Sequence, residues 1–157
     1  MRMSKIVTIT ADLLPPFILA FGLYVIAHGH LTPGGGFQGG AVTATGLLLL
    51  IVAYSYKDIA AAIRQDRFKL YESLGLIIVI GVGYIAFLYG ATFFTNWLVN
   101  TPLPFGTYVP FGPNPGDLNT GGTMPLYNIF VGVEVFCGLT IVVLYMLSGL
   151  EEGEGSS

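Results

Sequence analysis

The chain has 157 residues, of which 54% are hydrophobic and only 10% charged, against roughly 25% charged in an average soluble domain. A water-soluble globule of this size has a large surface to cover, and six Lys/Arg with nine Asp/Glu are too few, so the composition points to an integral membrane protein. The net charge of −3, without a basic patch, excludes nucleic-acid binding, and the lone Cys137 excludes an intramolecular disulfide framework, a cysteine zinc site and an iron–sulfur cluster held by this chain alone.

A bilayer core about 30 Å thick takes roughly 20 apolar residues as a helix. Four stretches qualify, and they predict an all-α, four-helix membrane domain over residues 1–150. The first is Ile6–Ala27, interrupted by Asp12 and by Pro15-Pro16. Arg2 and Lys5 before it resemble the start of a signal peptide. The apolar run is too long for one, however, and no small-x-small cleavage site follows, so the helix is expected to be retained. Gly40–Tyr56 is the second span, Leu74–Phe94 the third and Leu126–Leu147 the fourth. All six Lys and Arg lie before the first span or between the second and third, which predicts both termini on the cytoplasmic side of the cell membrane. Residues 151–157 then form a disordered, acidic cytoplasmic tail.

Between the first two spans runs His28-Gly29-His30-Leu31-Thr32-Pro33-Gly34-Gly35-Gly36-Phe37-Gln38-Gly39-Gly40. Gly34, Gly36 and Gly39 spell G-x-G-x-x-G, but a dinucleotide fingerprint needs a preceding strand in a βαβ unit, and here a membrane helix precedes. The short connection makes the two spans antiparallel neighbours. Gly36 and Gly40 are spaced to let two membrane helices touch backbone to backbone. Two readings stay open: a tight turn that only packs, or irregular backbone that shapes a wet cavity or docks a partner subunit. His28 and His30 are too few and too close for haem or metal ligation, so interfacial hydrogen bonding is the expectation for both. No cofactor is implied.

Segment 57–70 is Ala-rich and charged and reads as a short helix on the inner surface. The third span carries Gly75, Gly81, Gly83, Ala86 and Gly90, with Ala86 and Gly90 as a small-x-x-x-small pair for helix packing. Segment 97–123, rich in Pro and Gly, is expected to be an ordered coil against the outer headgroups or a neighbouring subunit.

Glu134 is the sharpest single residue. It lies about 12 Å into the fourth span at 1.5 Å per residue, where an acid costs roughly 2.5 to 3.5 kcal/mol to insert. Helical spacing aligns it with Tyr127, Val131, Gly138, Ile141 and Tyr145, a face suited to a helix–helix contact. Structural hydrogen bonding and participation in proton or cation transfer both remain open for it. No intramembrane cation of this chain faces it, so a cationic partner there would come from another chain. Asp12 reads as a cap near the headgroups or a hydrated polar spot beside the proline break. Glu72 reads as an interfacial charge near Lys69.

The stretch Leu13-Leu14-Pro15-Pro16-Phe17, followed by Gly29-His30-Leu31-Thr32-Pro33-Gly34-Gly35-Gly36-Phe37-Gln38-Gly39-Gly40, resembles the signature of the MnhB/MrpB family, which supplies one subunit type of the Mrp-type multisubunit sodium/proton antiporters. The pattern G-H-x-x-P-G-G-G-F-x-G-G is met in full. Residues 122–134 and the ending Leu150-Glu151-Glu152 are also similar, so the likeness spans roughly residues 10–152 and is weakest over 97–121. The resemblance implies an accessory subunit with four helices. It would not be an enzyme by itself and would work with other Mrp-type membrane subunits in a complex that translocates Na+ and H+. Related subunits occur in archaeal membrane-bound hydrogenase and sulfur-reducing complexes, and a purely structural adaptor is the further alternative. The candidate ion-path or subunit-contact residues are Glu134, Asp12, His30, Pro33, Gly34, Gly35, Gly36, Phe37, Gln38, Gly39 and Gly40.

Overall fold

The computed structural model describes residues 3–54, 59, 62–108 and 117–154, with side chains up to Gly149. Its helices in chain order are α1 (Lys5–Leu13), α2 (Pro15–Ala27), α3 (Gly36–Tyr54), α4 (Gln65–Leu88) and α5 (Met124–Glu154). Four stretches are long and apolar enough to cross a membrane: Lys5–Ala27, Gly36–Tyr54, Gln65–Leu88 and Met124–Gly149. The protein is a multi-pass membrane protein.

The first span breaks where two successive prolines remove backbone donors. Phe17 N–H then bonds Leu14 O at 3.0 Å in a tighter turn. Both ends of α1 reach the last turn of α3: Met3 N–H donates to Ala53 O at 3.3 Å, and the Tyr54 hydroxyl donates to the Asp12 carboxylate at 2.5 Å. Asp12, which is exposed, is therefore not a helix cap; it ties α1 to α3.

Packing runs in the order α2, α3, α5, α4, with a smaller contact between α2 and α5. This is a row of helices more than a closed bundle, because α4 packs chiefly on α5 among the described helices. α3 is the most enclosed span. It sits against α2 through Gly22 and Gly39, where a Cβ on Gly39 would come within 2.8 Å of Gly22 O. Against α5 the approach is closer still. A Cβ on Gly36 would stand next to the Asn128 carbonyl oxygen, and one on Gly40 would stand 2.6 Å from Gly132 O. The pair spaced by four residues on α3 thus mates with a pair spaced by four on α5. In lipid, where apolar side chains gain nothing by leaving the solvent, this surface-to-surface fit is what holds helices together.

Several boundaries differ from the expected ones. α3 begins at Gly36 and not at Gly40, because its first N–H groups find acceptors, as described below. Gln65–Leu70, expected in a surface helix, is the start of α4. Its charged side chains reach the interface along their own stems, so the helix has no need to break. Residues 55–58 and 60–61 lie outside the described residues. At its other end α4 stops at Leu88, short of Phe94. Gly90 takes φ +69°, and the N–H groups of Ala91 and Gly90 return to Ala86 O (3.1 Å) and Phe87 O (3.0 Å), the Schellman termination. Gly90 is therefore a helix stop and not half of a packing pair.

The chain then folds back. Phe93 and Phe94 press on Gly83, within 3.0 to 3.2 Å of where its Cβ would be, and Trp97 Nε1 donates to Val82 O at 3.0 Å. The described parts of the 97–123 segment are turns and coil, and Trp97 packs on this chain's own α4. The Asn96 side chain joins the two arms, donating to Gly121 O at 2.9 Å and accepting from Thr123 N–H at 2.8 Å. Finally, α5 runs on to Glu154. Glu151–Glu154, expected to be disordered, continue the helix because nothing in Leu150-Glu151-Glu152 breaks one; 155–157 lie outside the described residues.

Replacing Gly36 with Ala drives a methyl group into the Asn128 backbone and is expected to cost about 1–3 kcal/mol, read as a lowered thermal midpoint of the detergent-solubilised full chain. Gly81→Ala is the control. Its Cβ would meet nothing within 4 Å, so stability is expected to hold within about 0.5 kcal/mol or to rise slightly.

Candidate functional site

The sequence candidates separate into three places. At one end of the row the glycine loop closes around Asn128 of α5. Gly29, Gly35 and Gly36 all abut this residue, and the amide is 2.7 Å from the Cβ position of Gly29 and 2.8 Å from that of Gly35. Helices expose unsatisfied N–H groups in their first turn. Here Gly36 N–H donates to Asn128 Oδ1 at 3.3 Å and Gly35 N–H to Gln38 Oε1 at 3.0 Å. Gln38 reaches back as the third residue of a capping box does. The loop is thus the capped, close-packed start of α3. Pro33 and Phe37 point outward, Phe37 with 62% exposure. Gly34 lies at φ +136° beside Val25. Asn128 is absent from the residues that the sequence marks as candidates; an amide four residues before Gly132 in an apolar helix is the signal that could have found it.

His28 and His30 behave differently. His28 stacks on Tyr24 with ring centroids 4.1 Å apart, and its Nδ1 lies 3.3 Å from Tyr24 O, as a hydrogen-bonding residue would. At His30 both ring nitrogens are shielded from solvent. The ring lies under Gly121, whose Cβ would come within 3.0 Å of Cδ2, and beside the backbone of Asp117 and Leu118. Burial, reinforced by the neighbouring His28, lowers its pKa from the usual 6.5; hydrogen bonding to the backbone of Leu118 and Asp117, and the Asp117 carboxylate, oppose this only in part.

Glu134 lies on a different side of α5, facing α4. Gly75 makes room for it: a Cβ there would stand 3.2 Å from Glu134 Cβ and 2.9 Å from Phe130 O. The same seam holds a second acid. Glu72 Oε1 lies 3.0 Å from the Cβ position of Gly138, one turn along α5 from Glu134. Gly138 and Glu134 bracket the middle of the Met124–Gly149 span, so Glu72 reaches alongside that part of α5. Sequence reasoning misses this because α4 starts nine residues before the apolar run does. Of the other residues on the expected face of α5, Ile141 is buried but Tyr145 is 48% exposed. Tyr127 meets Phe94 at 5.5 Å between ring centroids, and Lys69 Nζ sits 5.0 Å from the Tyr145 ring. Neither glutamate has an ion-pair partner among the described residues, and no three His, Cys, Asp or Glu among them converge to hold a metal ion.

Asp12 with Tyr54 forms the third place, at the end where the described basic residues Lys5, Arg64, Arg67 and Lys69 gather. It is remote from the glycine loop.

Two outcomes are expected. Asn128→Ala leaves the Gly36 N–H without its acceptor and should cost about 1–3 kcal/mol, seen as a lower thermal midpoint. For His30, the unfolded chain takes up a proton at higher pH than the folded chain. The stability contributed by neutral His30 is therefore complete above about pH 6.5 and is lost as pH falls below that value. His30→Phe should flatten that acid limb in a thermal-shift series from pH 8 to 5.

The chain matches, over residues 6–141, a family model described as a domain related to the MnhB subunit of Na+/H+ antiporters. The corresponding Na+/H+ antiporter subunit of Alkalihalophilus pseudofirmus is 33% identical over 130 residues, 79% of this chain and 82% of that one. A protein of Methanocaldococcus jannaschii is 31% identical over 78% of this chain, which spans only 44% of that longer relative. A chain in the structure of the membrane-bound sulfane sulfur reductase, an archaeal respiratory membrane complex, superposes with a TM-score of 0.72 at 34% identity, over 94% of this chain and 59% of that one. With nearly the whole membrane domain matched, the chain belongs to the MnhB family.

Proposed function

We propose that this chain is an accessory subunit of an Mrp-type sodium/proton antiporter module, and that the α4–α5 seam contributes Glu134 to proton or cation movement. The observation that carries the reading is the pairing of a family match over residues 6–141 with an acid held near mid-span. Glu134 has room only because Gly75 lacks a side chain. An intramembrane acid is retained where it faces protein or water and has work to do, and Glu72 one turn away gives a carried proton or cation a second oxygen site. Many large apolar side chains remain outward-facing on the row, among them Phe17, Ile77 and Met146 at 62–67% exposure. Such surfaces suit lipid and neighbouring subunits. The glycine loop reads here as packing that sets the subunit's shape, and the basic end as the cytoplasmic side.

A second reading is favoured by the superposition on the sulfane sulfur reductase chain. The same subunit would then serve an Mrp-like module coupled to a respiratory redox complex.

In the intact complex, Glu134→Gln is expected to reduce Na+-dependent proton flux in vesicles to a small fraction while every subunit co-purifies normally. Unchanged flux would leave Glu134 a packing residue. The isolated chain in liposomes is expected to move no Na+. Proteins that co-purify with it separate the stand-alone antiporter from the redox-coupled assembly.

A further inference from the structure

Two adjoining hollows open at the basic end of the row and share Ile63 and Phe68. The outer one, about 350 Å³, is lined by Ala62, Ile63, Arg64, Arg67, Phe68 and Tyr71. The inner one, about 210 Å³, is a slot between α2, α3 and α5, lined by Pro15, Leu19, Gly46, Leu47, Leu50 and Phe136 beside the shared pair. We propose that mouth and slot together hold one anionic phospholipid, its phosphate on Arg64 and Arg67 and one acyl chain in the slot.

Three features commit the site to this occupant. The first is charge. Arg64 and Arg67 are exposed and form no ion pair with a described carboxylate. The acids nearest on α4 form no ion pair with them either: Asp66 forms none among the described residues, and Glu72 lies against Gly138. Guanidinium groups bind phosphate oxygens through paired N–H donors, and the Tyr71 side chain lines the same mouth.

The second feature is the slot itself, whose lining side chains are almost wholly apolar. Such a cavity rejects a free phosphate and an acidic peptide alike, but it accepts a hydrocarbon chain. The third is depth. Gly46 lies eight residues inside the Tyr54 end of α3, about 12 Å along the helix, so the slot runs from the polar boundary into the hydrocarbon layer. Basic clefts at the ends of membrane helices are where lipid headgroups are recognised. A bound lipid would fill the hollow that the row arrangement leaves beside the start of α4.

The test is native mass spectrometry of the full chain after detergent delipidation. It is titrated with phosphatidylglycerol, with phosphatidylcholine of the same acyl chains, and with glycerol 3-phosphate. One phosphatidylglycerol is expected to bind, with each arginine contributing about fivefold and the two about thirtyfold over phosphatidylcholine. Arg64→Gln with Arg67→Gln, both at exposed positions, should bring phosphatidylglycerol down to the phosphatidylcholine level at an unchanged thermal midpoint. Leu50→Trp, which fills the slot, should weaken lipid binding while the arginines are intact. Equal binding of the two lipids, indifference to the arginine double variant or to Leu50→Trp, or displacement of the lipid by glycerol 3-phosphate at equal concentration would each overturn the proposal. So would a cross-link from Leu50 to a partner polypeptide with no lipid retained.

Discussion

The first N–H groups of a helix have no acceptor within the helix and must find one elsewhere. In this chain the acceptors are Asn128 on α5 and Gln38 on α3 itself. The first of these works only if α3 and α5 nearly touch. Glycine at positions 36 and 40 permits that approach, and Gly132 meets it from the other side. Capping and close packing are therefore one interaction here. It places α5 against α3, and every other helix is placed relative to that pair.

The consequences spread outward from the central pair. α2 lies on one flank, where Gly22 and Gly39 again let backbones approach. α4 lies on the other, packed chiefly on α5. Four helices in a row bury less of their surface than four in a closed bundle, and the remainder is apolar. Large apolar side chains such as Phe17, Ile77 and Met146 therefore stay on the outer faces. Membership of the MnhB family fits an object of this shape, since the named antiporter relative is itself one subunit of an antiporter.

The acids follow the same geometry. Glu72 and Glu134 share the α4–α5 seam, each opposite a glycine of the other helix. An isolated carboxylate in this layer is expensive. Two in one seam, shielded by protein, make a polar strip along an otherwise apolar interface. Asp12 belongs to a separate arrangement, in which the Tyr54 hydroxyl fastens the bent start of the first span to the far end of α3.

Much of this was legible in the residues alone. Four apolar runs, their charges and the length of the connections determined the number of spans and the antiparallel first pair, because a bilayer imposes a length and a polarity on any chain that crosses it. The spacing of Gly36 and Gly40 announced a close helix contact, and the spacing around Glu134 announced a face. The partners of those faces were not legible. Nothing in the order of residues says that Gly36 meets Asn128, that Gly83 shelters aromatic rings and not a helix, or that Glu72 lies beside Gly138. Helix ends also misled where charged residues continued a helix through the boundary, as at Gln65–Leu70. Periodicity is a property of one helix, and the chain carries it openly. Which side chain fills which gap depends on the relative placement of two helices, and only the folded arrangement decides that.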